Sequence, residues 1–258
     1  MIPAFNEEAR LPRTLRALAR HVASCQDVTG RVEVIVVDNA STDATREVAL
    51  AADSPAMPVR VVTCVVPGKG AAVRAGIAAT TADVIGFMDA DGATQMEAID
   101  EAWRRLALGA DVAIGSRAVA GSDTASRHSW VRDRGARAYR ACTARLVPGV
   151  ADTQCGFKLV RGDLGRAVFA ELRSHGFSFD VELLARLQRR GARIDEFPVV
   201  WVDVPGSTFD PVRHGAQSFA GLAVIGWRLR SRSATVVTPA FTPLPTIPSA
   251  AAAVAADG

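Results

Sequence analysis

Two carboxylates, Asp89 and Asp91, stand one residue apart at the end of the apolar stretch Asp83-Val-Ile-Gly-Phe-Met88. Paired carboxylates at that spacing suit a hard divalent cation, or a cation together with the phosphates it carries. Ala90 between them is small, and Gly92 lets the backbone turn away immediately. In an extended segment residues i and i+2 point the same way, so both side chains are expected to face one ligand. A second group recurs with the same logic: Asn6 and Glu7 follow a short apolar start, Asp38 ends Val32-Glu-Val-Ile-Val-Val37, and Lys69 lies in Pro67-Gly-Lys-Gly70, able to meet an anion. The Walker frame G-x-x-x-x-G-K-[ST] is missing there. So is the dinucleotide fingerprint G-x-G-x-x-G after the first strand, which speaks against a dehydrogenase.

These residues fall at the ends of strands that alternate with helices. Leu11, Leu15, Leu18 and Val22 recur at helical spacing, strands are expected over 32–37, 59–63 and 83–88, and helices over 71–79 and 95–108. Ser41-Thr-Asp43 offers capping chemistry for the intervening helix. The order predicts a single α/β domain with a doubly wound, mostly parallel sheet flanked by helices. Such a sheet gathers Asn6, Glu7, Asp38, Lys69, Asp89 and Asp91 along its carboxyl edge, where ligands collect. The site so formed suits a base, a sugar and a metal-bound diphosphate.

Further on, a strand over 111–116 leads into Arg117, helices are expected at 136–147, 163–172 and from 177 to about 191, and a last strand over 194–204. In the helix from Phe177, Asp180 and Glu182 sit at i and i+2, so at most one of them can reach the site. Trp103, Trp130 and Trp227 read as packing residues; Trp201 reads equally as packing or as a sugar platform.

The chain of 258 residues is 49% hydrophobic and 22% charged, with a net charge of +3, which suits a soluble globular protein and gives no argument for nucleic acid as a partner. Its four cysteines show no C-x-x-C pair, so neither a zinc site nor a disulfide framework is expected, and a reducing cytoplasm is the simplest setting. No signal peptide or spanning segment is read. Residues 233–258, rich in Ala, Pro and Thr, are expected to form a disordered tail.

The motifs together resemble family 2 glycosyltransferases of the GT-A fold, in particular the polyprenyl-phosphate hexosyltransferases. The likeness spans about residues 1–230. It rests on Ile2-Pro-Ala-Phe-Asn-Glu-Glu8, Val37-Asp-Asn-Ala-Ser-Thr-Asp43, Gly68-Lys-Gly70 and Asp89-Ala-Asp91 in that order. Gly115-Ser-Arg117, Asp152-Thr-Gln-Cys-Gly-Phe-Lys158, Phe179-Asp-Val-Glu182 and Trp201 through Gly206-Ser-Thr-Phe-Asp-Pro211 extend it.

The resemblance implies a nucleotide-sugar half over about 1–117 and an acceptor half over 118–232. It implies Pro3, Ala4, Asn6, Glu7, Asp38, Lys69 and Ala90 around the nucleotide sugar, with Glu7 on the ribose and Asp38 reading the base, and Asp89 and Asp91 holding Mg²⁺ or Mn²⁺. UDP-glucose is the donor and a polyprenyl phosphate the acceptor it favours, with inversion at the anomeric carbon. Arg117, Arg127, Arg132, Arg134, Gln154, Lys158 and Trp201 would serve the acceptor, and Arg117, Lys158 and Asp180 would stand with the two aspartates in the catalytic centre. Membrane helices carried by many relatives are not read here, which leaves open a soluble acceptor or a nucleotide-sugar binder without turnover. The apolar and arginine-rich run Phe219–Arg232 suits a helix lying in a headgroup interface at the cytoplasmic face, or one simply packed on the sheet.

Overall fold

The structure is a computed structural model that describes residues 1–25, 32–125, 130–202, 204 and 213–230; of residues 124, 125, 130–134, 136 and 213–216 only the backbone is described. Arg127, the motif 206–211 and the tail 233–258 lie outside the described residues, as do the side chains of Arg132 and Arg134.

Three parallel strands form one end of the molecule: β1 (Ile2–Ala4), β2 (Val34–Asp38) and β3 (Val59–Thr63), in the order β1-β2-β3. Four more form the other end, β4 (Val84–Phe87), β5 (Val112–Ser116), β7 (Lys158–Arg161) and β8 (Ile194–Pro198), in the order β4-β7-β5-β8. The Met88 amide donates to the Met1 carbonyl at 3.2 Å and brings β4 beside β1. The two sheets thus meet at β1 and β4, in the order β3-β2-β1 then β4-β7-β5-β8. A small ribbon, β6 (Asp123–Ala125) with β9 (Val200–Val202), stands apart.

β2 is buried along its whole length, as a strand covered on both faces must be. Val34 and Val36 face one core, with Leu11, Leu15, Leu18 and Val22 of α1 (Leu11–Ser24) and Ala102 and Leu106 of α4 (Ala98–Ala107). Ile35 and Val37 face the other side, with Ala71 and Ala72 of α3 (Lys69–Ala78). The stripe of α4 runs through Ala98, Ala102 and Leu106, while Trp103 is only partly buried. The remaining helices are α2 (Thr45–Leu50), α5 (Trp130–Thr143), α6 (Gly162–Glu171), α7 (Phe179–Arg189) and α8 (Arg213–Arg230).

Three findings depart from the sequence reading. β7, which was not expected, is antiparallel and inserts between β4 and β5. The expected strand 194–204 breaks at Val199, and its second part leaves the main sheet to pair with β6. The helix expected from 136 begins at Trp130.

Candidate active site

The loops after β1 and β2 are laced together at the carboxyl edge. Asn6, at φ 54°, accepts the Thr42 amide at 2.8 Å and donates its own amide to Ser41 at 3.1 Å. The Glu7 amide donates to Thr45 Oγ1 at 2.7 Å. Pro3 and Ala4 pair in register with Val37 and Asp38. Asp38 is 8% exposed and accepts the Ser41 amide at 3.0 Å. The Glu7 carboxylate is engaged by Arg10 at 2.7 and 2.5 Å, so a ribose hydroxyl would share it with a guanidinium. Burial pushes the Glu7 carboxyl up against the pull of Arg10, and the nearby charges of Asp91 and Asp89 add to the rise.

Asn39 was not singled out from the sequence, yet it fixes the next loop. Its Nδ2 donates to the carbonyls of Cys64 and Val66 at 2.9 and 2.7 Å, and its Oδ1 accepts the Gly68 amide at 2.8 Å. Gly68, at φ 120°, passes so close to the chain that a Cβ would lie 2.3 Å from the His175 carbonyl oxygen. A side chain cannot fit there, and Lys69 is delivered to the edge in consequence. The only sequence signal was an Asx residue directly after a strand-end aspartate.

β4 ends at Phe87, so Asp89 and Asp91 stand in the following turn and not in extended backbone. The turn is held instead by Thr14 of α1, whose hydroxyl donates to the Ala90 carbonyl at 2.7 Å, and by the Ala93 amide, which donates to Asp91 at 3.0 Å. Lys69 Nζ meets Asp89 Oδ1 at 2.5 Å. Burial alone would lower the lysine, but Asp89 and Asp180 outweigh it and raise it, so the ammonium stays charged. Asp91 is pushed up by burial and by the charge of Asp89. Opposite, the backbone closes at Gly156, where a Cβ would fall 2.0 Å from Asp89 Oδ2. Gly156→Ala is therefore expected to displace the 39% exposed Asp89 side chain, lowering turnover by more than about tenfold with little loss of stability. Unchanged kcat in that variant would show that the Asp89 position is not critical.

Just past β5, Arg117 Nε and Nη2 grip both oxygens of Asp152 at 2.7 and 3.0 Å, and its guanidinium lies 5.6 Å from the Trp201 ring centroid. Nη1 is the guanidinium nitrogen that Asp152 does not engage. Burial would push the Asp152 carboxyl up, but the hydrogen bonds and charge of Arg117 hold it below its usual range. A depressed folded-state value means stability that is present above the unfolded value of about 3.9 and lost as pH falls through the folded one. Asp152→Asn should remove this increment, so its urea midpoint should fall less than that of the wild type between pH 5 and pH 2 on the order-of-magnitude window this implies. Parallel acid profiles would contradict the assignment.

Lys158 was expected to meet an acceptor phosphate. Its Nζ is instead buried, 1% exposed, donating to Asp180 at 2.6 Å and to the Cys155 carbonyl at 2.7 Å. Asp180 and Glu182 diverge as helical spacing requires. Asp180 turns toward Lys158 and Lys69, while Glu182 accepts the Ser174 amide at 2.8 Å and pairs with Arg186. Gln154 bridges the Tyr139 hydroxyl and the Phe177 carbonyl. A cavity of about 460 Å³ opens beside Lys69, bounded by Pro67, Gly68, Phe177, Ser178 and Gln217. Of its lining, Lys69 is the residue to which the sequence assigns a binding role.

The donor set fits a hard cation. Asp89 and Asp91 offer oxygen ligands only, the charge of Asp89 opposes the ionisation of Asp91, and Lys69 is the cation at hydrogen-bond distance from Asp89.

The fold is a mixed α/β one, and the glycosyl transferase family 2 model matches residues 1–165. The chain belongs to that family and is a glycosyltransferase. Among its relatives, the dolichyl-phosphate beta-glucosyltransferase of Mus musculus is 33% identical over 249 residues, covering 89% of this chain and 77% of that protein. The protein of the same name from Drosophila melanogaster is 34% identical, covering 90% and 77%. The crystal structure of Mycobacterium tuberculosis glucosyl-3-phosphoglycerate synthase with Mn²⁺, UDP-glucose and glycerol 3-phosphate superposes with a TM-score of 0.63 at 22% identity, covering 87% of this chain and 78% of that one. This last likeness is one of fold, and it bears out the GT-A expectation.

Proposed function

We propose that the chain transfers glucose, with inversion, from UDP-glucose to a polyprenyl phosphate, using Mg²⁺ or Mn²⁺ held by Asp89 and Asp91. The observation that carries this reading is the meeting of Asp89, Asp91 and Lys69 in one turn-bound group at the sheet edge. The names of the relatives, which state beta-glucosyl transfer to dolichyl phosphate, support the choice of sugar and acceptor.

A bound divalent cation supplies Lewis-acid neutralisation of the leaving diphosphate. Lys69, kept charged by Asp89 and Asp180, adds positive charge on the same side. Asp38 accepts from the N3–H of uracil, while Asn39 holds the loop that brings Lys69 in. The acceptor phosphate is already an anion at neutral pH, so one of its oxygens attacks the anomeric carbon without a general base. The bond from that carbon to the acceptor oxygen forms as the bond to the diphosphate oxygen breaks, and the electron pair leaves with UDP. Arg117 offers Nη1 to the incoming phosphate, with the Trp201 ring beside its guanidinium, and Gln154, Arg127, Arg132 and Arg134 are further candidates for the acceptor. Lys158 acts through Asp180 and not on the ligand.

Incubation with UDP-glucose and polyprenyl phosphate, read by mass spectrometry, should give a hexosyl polyprenyl phosphate that EDTA abolishes. Transfer only to small hydroxylated metabolites, preference for GDP-glucose, or UDP-glucose binding without turnover would each overturn the reading.

None of the described helices is long and apolar enough to cross a membrane. α8 docks through Leu222, Ile225 and Leu229, which are buried, while Phe219, Val224 and Trp227 remain exposed, the last at 70%. These exposed apolar residues share α8 with Arg228 and Arg230, a combination that suits peripheral contact with an anionic leaflet. The protein is expected to sediment with anionic liposomes at low ionic strength and to be released as salt screens the arginines. Phe219→Ser/Trp227→Ser should not sediment; equal sedimentation of that variant would place the contact elsewhere.

A further inference from the structure

At the C-terminal end of α1, three side chains converge that the reaction does not use. His21 and Cys25 lie one helical turn apart at the end of α1, and Asp100 faces them from α4. His21 Nε2 stands 3.1 Å from Asp100 Oδ1 and 3.9 Å from Cys25 Sγ, and Sγ stands 3.9 Å from the same Oδ1.

A nucleophilic relay would use the two ring nitrogens of the histidine separately, one toward the thiol and one toward the carboxylate. Here a single nitrogen faces both. The three donor atoms are the corners of one triangle, and sides of 3.1, 3.9 and 3.9 Å give it a circumradius of about 2.1 Å. One point is therefore nearly equidistant from all three, at the lengths of zinc bonds to nitrogen, oxygen and, with a slight shift, sulfur. The side chain of His21 is 12% exposed and that of Asp100 is 49% exposed, so the pocket floor is sheltered while its mouth is open to an ion and a water.

We propose that His21, Cys25 and Asp100 form a second cation site, for Zn²⁺ or a similarly thiophilic divalent ion, with water in the fourth position. The donor set separates it from the all-oxygen pair Asp89 and Asp91: thiolate and imidazole select borderline ions over Mg²⁺. Binding releases the thiol proton and leaves the imidazole neutral, so the ion enters as a substitute for the His21–Asp100 hydrogen bond.

The position gives the site a structural role. α1 carries Thr14, which holds the Ala90 carbonyl, and α4 begins a few residues after that turn. A cation there ties the C-terminal end of α1 to the first turn of α4, the helix that follows the Asp89–Asp91 turn.

The test uses the full chain stripped of metal by chelation and titrated with Co²⁺, then with Zn²⁺. One equivalent of Co²⁺ should give a thiolate-to-metal charge-transfer band, which carboxylates alone cannot produce, and Zn²⁺ should displace it and raise the melting temperature. Cys25→Ser should lose the band, and His21→Ala and Asp100→Ala should each weaken binding by more than about tenfold. Asp89→Ala should keep the band, which distinguishes this site from the proposed catalytic one whatever the enzyme's activity. Absence of the band in the wild-type chain, or its survival in Cys25→Ser, would overturn the proposal; a circular dichroism spectrum matching the wild type keeps each variant interpretable.

Discussion

Asp89→Ala and Asp91→Ala are each expected to lower kcat by at least about 100-fold, roughly 2.7 kcal/mol of transition-state stabilisation, because each removes an oxygen ligand from the cation that neutralises the leaving diphosphate. Neither variant should unfold. Asp89 is 39% exposed, and its partner Lys69 keeps the charge of Asp180 nearby. Asp91 also accepts the Ala93 amide, so Asp91→Asn serves as the control that can retain the turn while losing most of the cation affinity. Two readouts separate the roles: turnover with UDP-glucose, and the effect of EDTA on UDP binding by calorimetry. The proposed metal role fails if either alanine variant turns over like the wild type, or if the wild-type chain binds UDP equally well with and without EDTA.

The second large effect is on stability. The Lys158–Asp180 pair is enclosed, with side chains 1% and 3% exposed, and the ammonium lies 5.2 Å from the Phe87 ring centroid. Removing Lys158 takes from Asp180 its hydrogen-bonded partner in a low-dielectric setting and leaves only the charge of Lys69 to offset it. Lys158→Met should therefore cost about 3–5 kcal/mol, read as a fall in the urea midpoint. Replacing both partners removes that penalty, so Lys158→Met/Asp180→Leu should recover much of the loss. A single variant that loses less than about 1 kcal/mol would show that the pair is effectively solvated, and a double variant less stable than the single one would show that Asp180 serves another partner.

The contrast between these residues shows where the sequence was informative. Asp38, Lys69, Asp89 and Asp91 were legible because each follows a short apolar run, and a parallel sheet places all such ends on one edge. What lies across from them was not. β7 is only four residues, Lys158-Leu-Val-Arg161, with a cation at each end, and its pairing with β4 joins segments about seventy residues apart. No local period announces such a strand, and without it Lys158 reads as a surface lysine. The engagement of Glu7 by Arg10 is local, an i, i+3 pair in the turn that leads into α1. His21 and Cys25 likewise stand at i and i+4, which is not a C-x-x-C spacing; the third donor, Asp100, is distant in sequence and only the packing of α1 on α4 supplies it.

The insertion of β7 also has a bearing on how the chain comes to be assembled. β4 and β5 are not bonded to each other; both pair with β7 between them. A ribosome that has made Phe87 must add 74 more residues before Arg161 completes the bridging strand, roughly 4 to 15 s at ordinary elongation speeds. Through that interval the β1–β4 half carries an unpaired edge of Val84, Ile85, Gly86 and Phe87, a short and nearly uncharged template for another nascent chain. Vectorial synthesis thus exposes the strand that leads into Asp89 and Asp91 before its partner exists, and a holdase that shields a β edge would be most useful while residues 88–161 are being made.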